Sequence, residues 1–523
     1  MFLSSRLTNF IAVGLLLFVF LITLFSVKGD SLTMDELAHL PAGYSYLTQK
    51  DMRLNPEHPP LIKDLAAIPL LFIKDIHFPS DIKAWKDDIN GQWDFGNNFL
   101  FKSGNPADKM IFAGRIPMIL LLLLLGFYIF KIAKEFFGNK TALLSLFLFS
   151  FSPTLLAHGR LVTTDVGAAF GVVLATYYFL KSLRNPTFKN IILAGLAFGV
   201  AELLKFSLIL LVPFFIFLGI IYWRRIKVLI SVFGIGAILI GLVYQYHIWN
   251  YPSTRQVSDA KLTLASFQSR PVADLLVWMA DKPVLRPYAQ YGLGLAMVLQ
   301  RTAGGNTTYF FGEVSSTAWK KYFPTVYLIK EPLAFHILTL LALIFAVWGI
   351  KRFRLKQHFP VFAMLSFIGI YWVTSMTSNL NIGVRHLLPI FPFAIILVSA
   401  AIARLLKEPY LKLRYAALGI LILWQAITVI KVYPSFLAYF NELAGGPSNG
   451  YKYVADSNLD WGQDLKKLKK WIDENPPAGG QVYLDYFGGA DTKYYFKEKY
   501  APWWGDRNPA ELPKGSYLAV SAT

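Results

Sequence analysis

The sequence predicts an all-α polytopic membrane bundle of about eleven transmembrane helices, N-terminus inside, with a small C-terminal α/β domain on the outer face. Three observations predict it. Of 523 residues, 55% are hydrophobic and 16% charged, well short of the roughly 25% charged residues of soluble domains. Apolar runs approaching the about 20 residues needed to cross a bilayer recur along the chain. Lysines and arginines collect in alternate connections between these runs, as they do in cytoplasmic loops.

The elements follow in order. The run from about Phe10 to Val27 follows a single early arginine and is not succeeded by a small-residue cleavage pattern, so it reads as an uncleaved first span near 8–28. Further spans fall near 110–131, 141–157, 163–181, 190–205, 207–223, 228–248, 333–350, 358–375, 386–403 and 414–432. Lys131, Lys134 and Lys140 share one connection, and Lys181, Arg184 and Lys189 the next alternate one. Arg224, Arg225 and Lys227, then Lys351, Arg352, Arg354 and Lys356, then Arg404, Lys407, Lys412 and Arg414 continue the series. With the N-terminus inside, every one of these clusters is cytoplasmic. Two large outer segments, about 29–109 and 249–332, belong with the spans to a membrane domain of residues 1–432, leaving 433–523 as an outer soluble domain. There "DSNLDWGQDLKKLKKWIDENPPAGGQVYLDYFGG" reads as a capped amphipathic helix, a Pro/Gly turn and a strand. The final "GSYLAVSAT" reads as a strand that stops early, the pattern of a truncated chain.

Topology also accounts for the net charge of +19. No nucleic-acid-binding motif competes with that account, so a nucleic-acid partner is not expected. The absence of cysteine excludes disulfides, thiolate ligands and a cysteine nucleophile. No Walker-type glycine-rich loop points to direct use of a nucleotide.

Candidate chemistry gathers at the outer boundary of the spans. Asp35 and Glu36 lie about one helical turn beyond the first span, where carboxylates can deprotonate a hydroxyl, bind a cation or simply end a helix in water. Asp165 opens the fourth span, where it can act chemically or, with Thr163 or Thr164 as N-cap, favour the positive end of a helix. Arg115, Lys205, Arg385 and His386 stand at span ends on the same side. Single cations there commonly snorkel, but several on the face that the positive-inside rule disfavours ask for an anion, and a lipid phosphate at the interface fits. Carboxylates and cations around one membrane boundary suit a reaction on a lipid-linked phosphate: a base takes a proton from an acceptor hydroxyl while cations hold the leaving phosphate.

The residues that carry these features resemble a known family. The Asp-Glu pair after the first span, the downstream "NPEHPPL" and "SPTLLAHGRLVTTDVGAAF" resemble the membrane glycosyltransferases of family 39, which include protein O-mannosyltransferases and aminoarabinose transferases. "NIGVRHLLPIFPF" and "DSNLDWGQDLKKL" resemble a prokaryotic branch of that group, and the similarity runs over most of the chain. The resemblance implies a GT-C fold, an exoplasmic active site in a prokaryotic plasma membrane and inverting transfer from a polyprenyl-phosphate monosaccharide. It implies Asp35 as base, Glu36 as orienter of the acceptor, Asp165 as a second acidic site residue, and Arg115, Lys205 and Arg385 near the donor phosphate. The acceptor is left open among proteins, lipids and glycans.

Two motifs keep alternative readings. The prolines of "NPEHPPL" make a rigid extended turn, while Glu57 and His58 with His39 are candidate ligands for a divalent metal, as in some relatives. In the tail, Asp460 reads as a helix cap, with Gln463 or Asp464 completing the first turn, while Asn458, Asp460 and Trp461 are candidates to contact the acceptor or roof the site. An oligosaccharyltransferase-like enzyme using a lipid pyrophosphate is a rival because of "PWWGD" at 502–506. A transporter is a weaker rival, since the charges sit at span ends and not at the midplane.

Overall fold

A computed structural model describes residues 4–222, 225–349, 351, 353–406 and 411–523. Three cations of the positive-inside series, Arg224, Arg352 and Lys407, fall outside the described residues. All eleven apolar runs contain helix. Among the described residues, seven helices are long and apolar enough to span a membrane: Ser5–Ser26, Ala107–Phe137, Asp165–Arg184, Ile226–His247, Phe359–Thr377, Val384–Leu405 and Lys412–Val432.

The other four runs are shorter or broken, each for a local reason. The run near 141–157 splits into Asn139–Ser150 and Pro153–His158, because a proline cannot supply the N–H that would continue the first helix; Ser152 instead caps the second. Phe188–Leu204 stops where Lys205 adopts an extended conformation, and the chain restarts as a turn, Phe206–Leu210, and a helix, Leu211–Ile221. Leu333–Gly349 is bent 114° from Tyr322–Lys330 across Glu331 and Pro332.

Within the bundle Asp165–Arg184 and Val384–Leu405 are central, with 83% and 78% of their apolar windows buried, against 22% for Ser5–Ser26. The spans that begin with Asp165 and Arg385 are therefore the two most enclosed by protein. The first outer segment is itself helical, with Met34–Gln49 and Leu61–Ala67 packed on each other and on Ala107–Phe137. The second contains four helices and an antiparallel hairpin, β1 (Thr308–Phe310) with β2 (Glu313–Ser315).

The tail has the expected local elements. Leu465–Glu474 is an amphipathic helix, and β3 (Val482–Asp485) is the centre of a parallel sheet flanked by β4 (Tyr500–Pro502) and β5 (Tyr517–Val520). The tail is tied closely to the membrane helices. Lys330 Nζ donates to the carbonyls of Leu437 (2.9 Å), Tyr439 (2.5 Å) and Asn458 (2.6 Å). Ser31 N–H donates to the Gln463 carbonyl at 2.8 Å, and Met34 N–H to that of Trp461 at 3.2 Å.

Candidate active site

The Met34–Gln49 helix starts with a capping box, Thr33-Met34-Asp35-Glu36. The Glu36 carboxylate accepts from the N–H and hydroxyl of Thr33, both at 2.9 Å. One position earlier, Asp35 points the other way. It reaches a cavity of about 480 Å³ whose wall includes His39, Glu57, His58, Lys205, Arg301, Arg385, His386, Asp456 and Trp461. Apolar lining comes from Leu295, Met297, Val298 and Leu299, and from Phe206, Ile209 and Leu210.

Three broken or capped helix ends bring the charges together. Asp165 is the first residue of its helix, where the positive end favours a carboxylate. Lys205 sits at the helix break, and its Nζ lies 2.5 Å from Asp165 Oδ1. Arg385 follows Gly383, whose φ of +142° suits glycine and where a Cβ would lie 2.8 Å from Ser457 Oγ. This close approach lets Arg385 Nε donate to Ser457 Oγ at 3.1 Å and its guanidinium stack 4.2 Å from the Trp461 ring. Arg385 Nη1 bridges two carboxylates, Asp35 Oδ2 at 2.7 Å and Asp165 Oδ2 at 3.3 Å.

The two carboxylates differ in access. The Asp35 side chain is 24% exposed and that of Asp165 1%. Both Asp165 oxygens are taken by cations, and the side chain stands behind Lys205 and Arg385, outside the cavity lining. The structure thus corrects its reading as a group that touches the reacting atoms: Asp165 is placed to hold two cations.

Glu36 and Arg115 need a larger correction. Neither lines the cavity, and their side chains are 0% and 1% exposed. Arg115 Nε and Nη2 meet Glu36 Oε1 and Oε2 at 2.8 and 2.6 Å, and the guanidinium also donates to the carbonyls of Asp30 and Ser31. Val162 N–H fills a further position on Glu36 Oε1 at 3.0 Å. Burial pushes the Glu36 carboxyl up, but Arg115, with the N–H groups of Thr33 and Val162, more than offsets this and holds it below the ordinary glutamate range. This pair fixes the helix start to the bundle and leaves nothing free for phosphate or acceptor.

The metal reading of His39, Glu57 and His58 is also corrected. Among the described residues, no group of three or more His, Asp or Glu side chains is arranged to hold a metal ion. His39 Nδ1 is bonded to the Val162 carbonyl at 2.9 Å, and Glu57 accepts from Asn90 Nδ2 (3.0 Å) and Gln92 Nε2 (2.5 Å). His39 and His58 meet edge to face at 5.0 Å. Burial lowers both imidazole pKa values, and for His58 the neighbouring His39 and Lys63 lower it further. The "NPEHPPL" turn rests on Lys63, whose Nζ donates to Asn55 O, Asn55 Oδ1, His58 O and the Tyr46 hydroxyl. Burial pushes the Lys63 amine down to about 7, opposed by Glu57 and Asp64.

The tail residues divide. Trp461 lines the cavity against Arg385. Asn458 faces inward, accepting from Val384 N–H at 2.9 Å and donating to the Tyr322 hydroxyl at 3.1 Å, so it braces the Arg385 turn and is not placed to contact an acceptor. Asp460 does not cap the following helix, whose N-cap position is Asp464. Its carboxylate accepts from Gly462 N–H at 3.1 Å and Ala522 N–H at 3.0 Å, tying down the last strand away from the cavity.

Sequence reading missed Arg301 and Asp456. Arg301 lies in no quoted motif, and Asp456 opens "DSNLDWGQDLKKL", whose candidates are Asn458, Asp460 and Trp461; both line the cavity. Burial pushes the Asp456 carboxyl up to about 6, with Arg385 opposing and Asp35 adding to the rise. A carboxyl raised above its unfolded value of about 3.9 lends stability that is complete in acid and lost as pH rises through the folded value. The thermal midpoint in detergent is expected to fall between about pH 4 and pH 6 by an amount that Asp456→Asn does not show. Asn is tolerated at this position's φ of +56°. Identical pH profiles for the two proteins would contradict the assignment.

Residues 107–249, which contain Arg115, Asp165 and Lys205, match the family described as dolichyl-phosphate-mannose-protein mannosyltransferase. No curated protein sequence matches the chain. Among solved structures, the chain is similar to ArnT from Cupriavidus metallidurans bound to undecaprenyl phosphate, at 10% identity and a TM-score of 0.49, over 96% of this chain and 87% of that one. It is also similar to the oligosaccharyltransferase AglB from Archaeoglobus fulgidus in complex with an inhibitory peptide and a dolichol-phosphate, at 14% identity and a TM-score of 0.47, over 91% and 59% of the two chains. The chain thus spans about three fifths of the length of that archaeal enzyme. The S. cerevisiae Pmt1-Pmt2 complex bound to the sugar donor is matched at 18% identity and a TM-score of 0.32, over 51% and 35%.

Proposed function

We propose that the protein transfers one monosaccharide from a polyprenyl-phosphate donor to an acceptor hydroxyl at the outer membrane face, with inversion. The reading divides the chain into a membrane catalytic unit, 1–432, and an outer unit, 433–523. The observation that carries it is the cavity in which the accessible Asp35 carboxylate lies 2.7 Å from Arg385, with Lys205 and Arg301 also in the wall and an apolar lining beside them. That composition suits a substrate with a charged phosphate and a hydrocarbon tail.

Asp35 accepts the proton of the acceptor hydroxyl as its oxygen attacks the anomeric carbon. The bond from that carbon to the phosphate oxygen breaks, and the electron pair leaves on polyprenyl phosphate. Lys205 and Arg385, held by Asp165, stabilise the developing charge. A single displacement inverts the anomeric centre. "PWWGD" does not favour the pyrophosphate rival: Trp503 is buried beside Tyr483 of the tail sheet, and no residue of the motif lines the cavity.

The test uses purified protein in vesicles supplied with labelled polyprenyl-phosphate sugars and candidate acceptors. Release of free polyprenyl phosphate is expected, and Arg385→Ala should raise the donor KM more than the acceptor KM. Equal effects on both would return Arg385 to a structural role. No release from any monosaccharide donor would overturn the reading.

A further inference from the structure

The second outer segment contains the helices Ser253–Thr263, Arg270–Ala280 and Arg286–Gly304. They share a small core of their own, including Leu264, Ala273, Leu276, Leu293 and Ala296. The middle helix gives that core Ala273 and Leu276. Val272, Leu275 and Trp278, three residues apart and so on one face, are left 43%, 52% and 54% exposed. Asp274 stands beside this stripe, ion-paired with Arg270 at 3.3 Å.

The neighbouring helix shows what covers the stripe. Arg286–Gly304 packs along the Ile226–His247 span, and the Tyr288 hydroxyl donates to the Ala237 carbonyl at 3.4 Å. A Cβ at Gly241 would lie 2.4 Å from that hydroxyl oxygen, so glycine permits the approach. Ala237 is ten residues before the end of the span at His247, roughly 15 Å below it at about 1.5 Å per residue. Tyr291, one turn further on, donates to the buried Glu202 carboxylate at 2.8 Å and holds the same helix to the end of Phe188–Leu204. On the span itself Ile238 and Leu242 are 61% and 66% exposed, the lipid-facing surface of a membrane helix. The apolar stripe therefore belongs to a hairpin anchored at the depth of that surface. Trp278 also has Lys282 Nζ 5.8 Å from its ring, an aromatic and basic pair of the kind that settles at the headgroup level.

We propose that the Arg270–Ala280 helix lies in the outer leaflet, with Val272, Leu275 and Trp278 against acyl chains and the Arg270–Asp274 edge toward water. The hairpin then forms the lipid-side wall of the cavity, because its second helix supplies Leu295, Met297, Val298 and Leu299 to the lining. This holds whether or not the cavity transfers sugar.

The cysteine-free sequence allows a direct test. Single variants Val272→Cys, Leu275→Cys, Trp278→Cys and Asp274→Cys are nitroxide-labelled in full-length protein in phosphatidylcholine–phosphatidylglycerol vesicles. Relaxation by dissolved oxygen and by a water-soluble nickel chelate is then compared. The oxygen-to-nickel accessibility ratio is expected to be several-fold higher at 272, 275 and 278 than at 274. All four positions are surface positions, so the labels leave the core intact. A ratio at the three stripe positions equal to that at 274 would overturn the proposal.

Discussion

Asp35→Asn is expected to insert and melt like the wild type while turnover falls by about a hundredfold or more, the range that removal of a general base produces. The amide keeps the size of the side chain and can still face Arg385, but it cannot accept the acceptor's proton. The structure supports the separation of folding from activity, because the Asp35 side chain is partly open to the cavity and Arg385 keeps Asp165 as a counter-charge. Polyprenyl-phosphate release in vesicles, read alongside thermal melting in detergent, makes the comparison. A variant with normal turnover would remove Asp35 as the base and leave it an ion-pair partner of Arg385.

The adjacent carboxylate should behave in the opposite way. Glu36→Gln keeps shape but leaves the Arg115 guanidinium, 1% exposed, without its counter-charge. Breaking one side of a buried pair costs about 3–5 kcal/mol, so the expected result is a large loss of thermal stability and of folded yield. The lowered pKa of Glu36 leads to the same view: the stability lent by the ionised form is present above the ordinary glutamate range and is lost as pH falls through the folded value. Glu36→Gln melting like wild type but failing only in turnover would instead make Glu36 a catalytic group.

The contrast between neighbours shows what a sequence can and cannot disclose. Spans were legible because hydropathy is a local property, summed over a window that needs no partner. Their breaks were less so: the extended conformation of Lys205 and the 114° bend at Glu331 and Pro332 depend on how the pieces pack. Residue types at the outer boundary pointed to Asp35, Lys205, Arg385 and His386, which the fold brings to one cavity. Pairing was invisible, since Glu36 and Arg115 are 79 positions apart and Asp165 and Arg385 are 220 apart. One signal was present and passed over. Thr33 and Glu36 have the spacing of a capping box, which already assigns the second carboxylate to the helix start and leaves Asp35 as the free one. Arg301 had no such signal, because nothing near it in sequence reveals that the outer segment reaches the same space, whereas Asp456 opens the tail motif whose Trp461 was already a candidate.

The hydrogen bonds from Ser31 and Met34 to the tail have a bearing on biosynthesis. The strand leading into the Asp35 helix is completed by Trp461 and Gln463, the latter 432 residues downstream. The first transmembrane helix and the carboxylate beside it leave the ribosome early, yet their surroundings are unfinished until Gln463 has been translated. A nascent chain in the membrane would hold that pocket open until the tail docks.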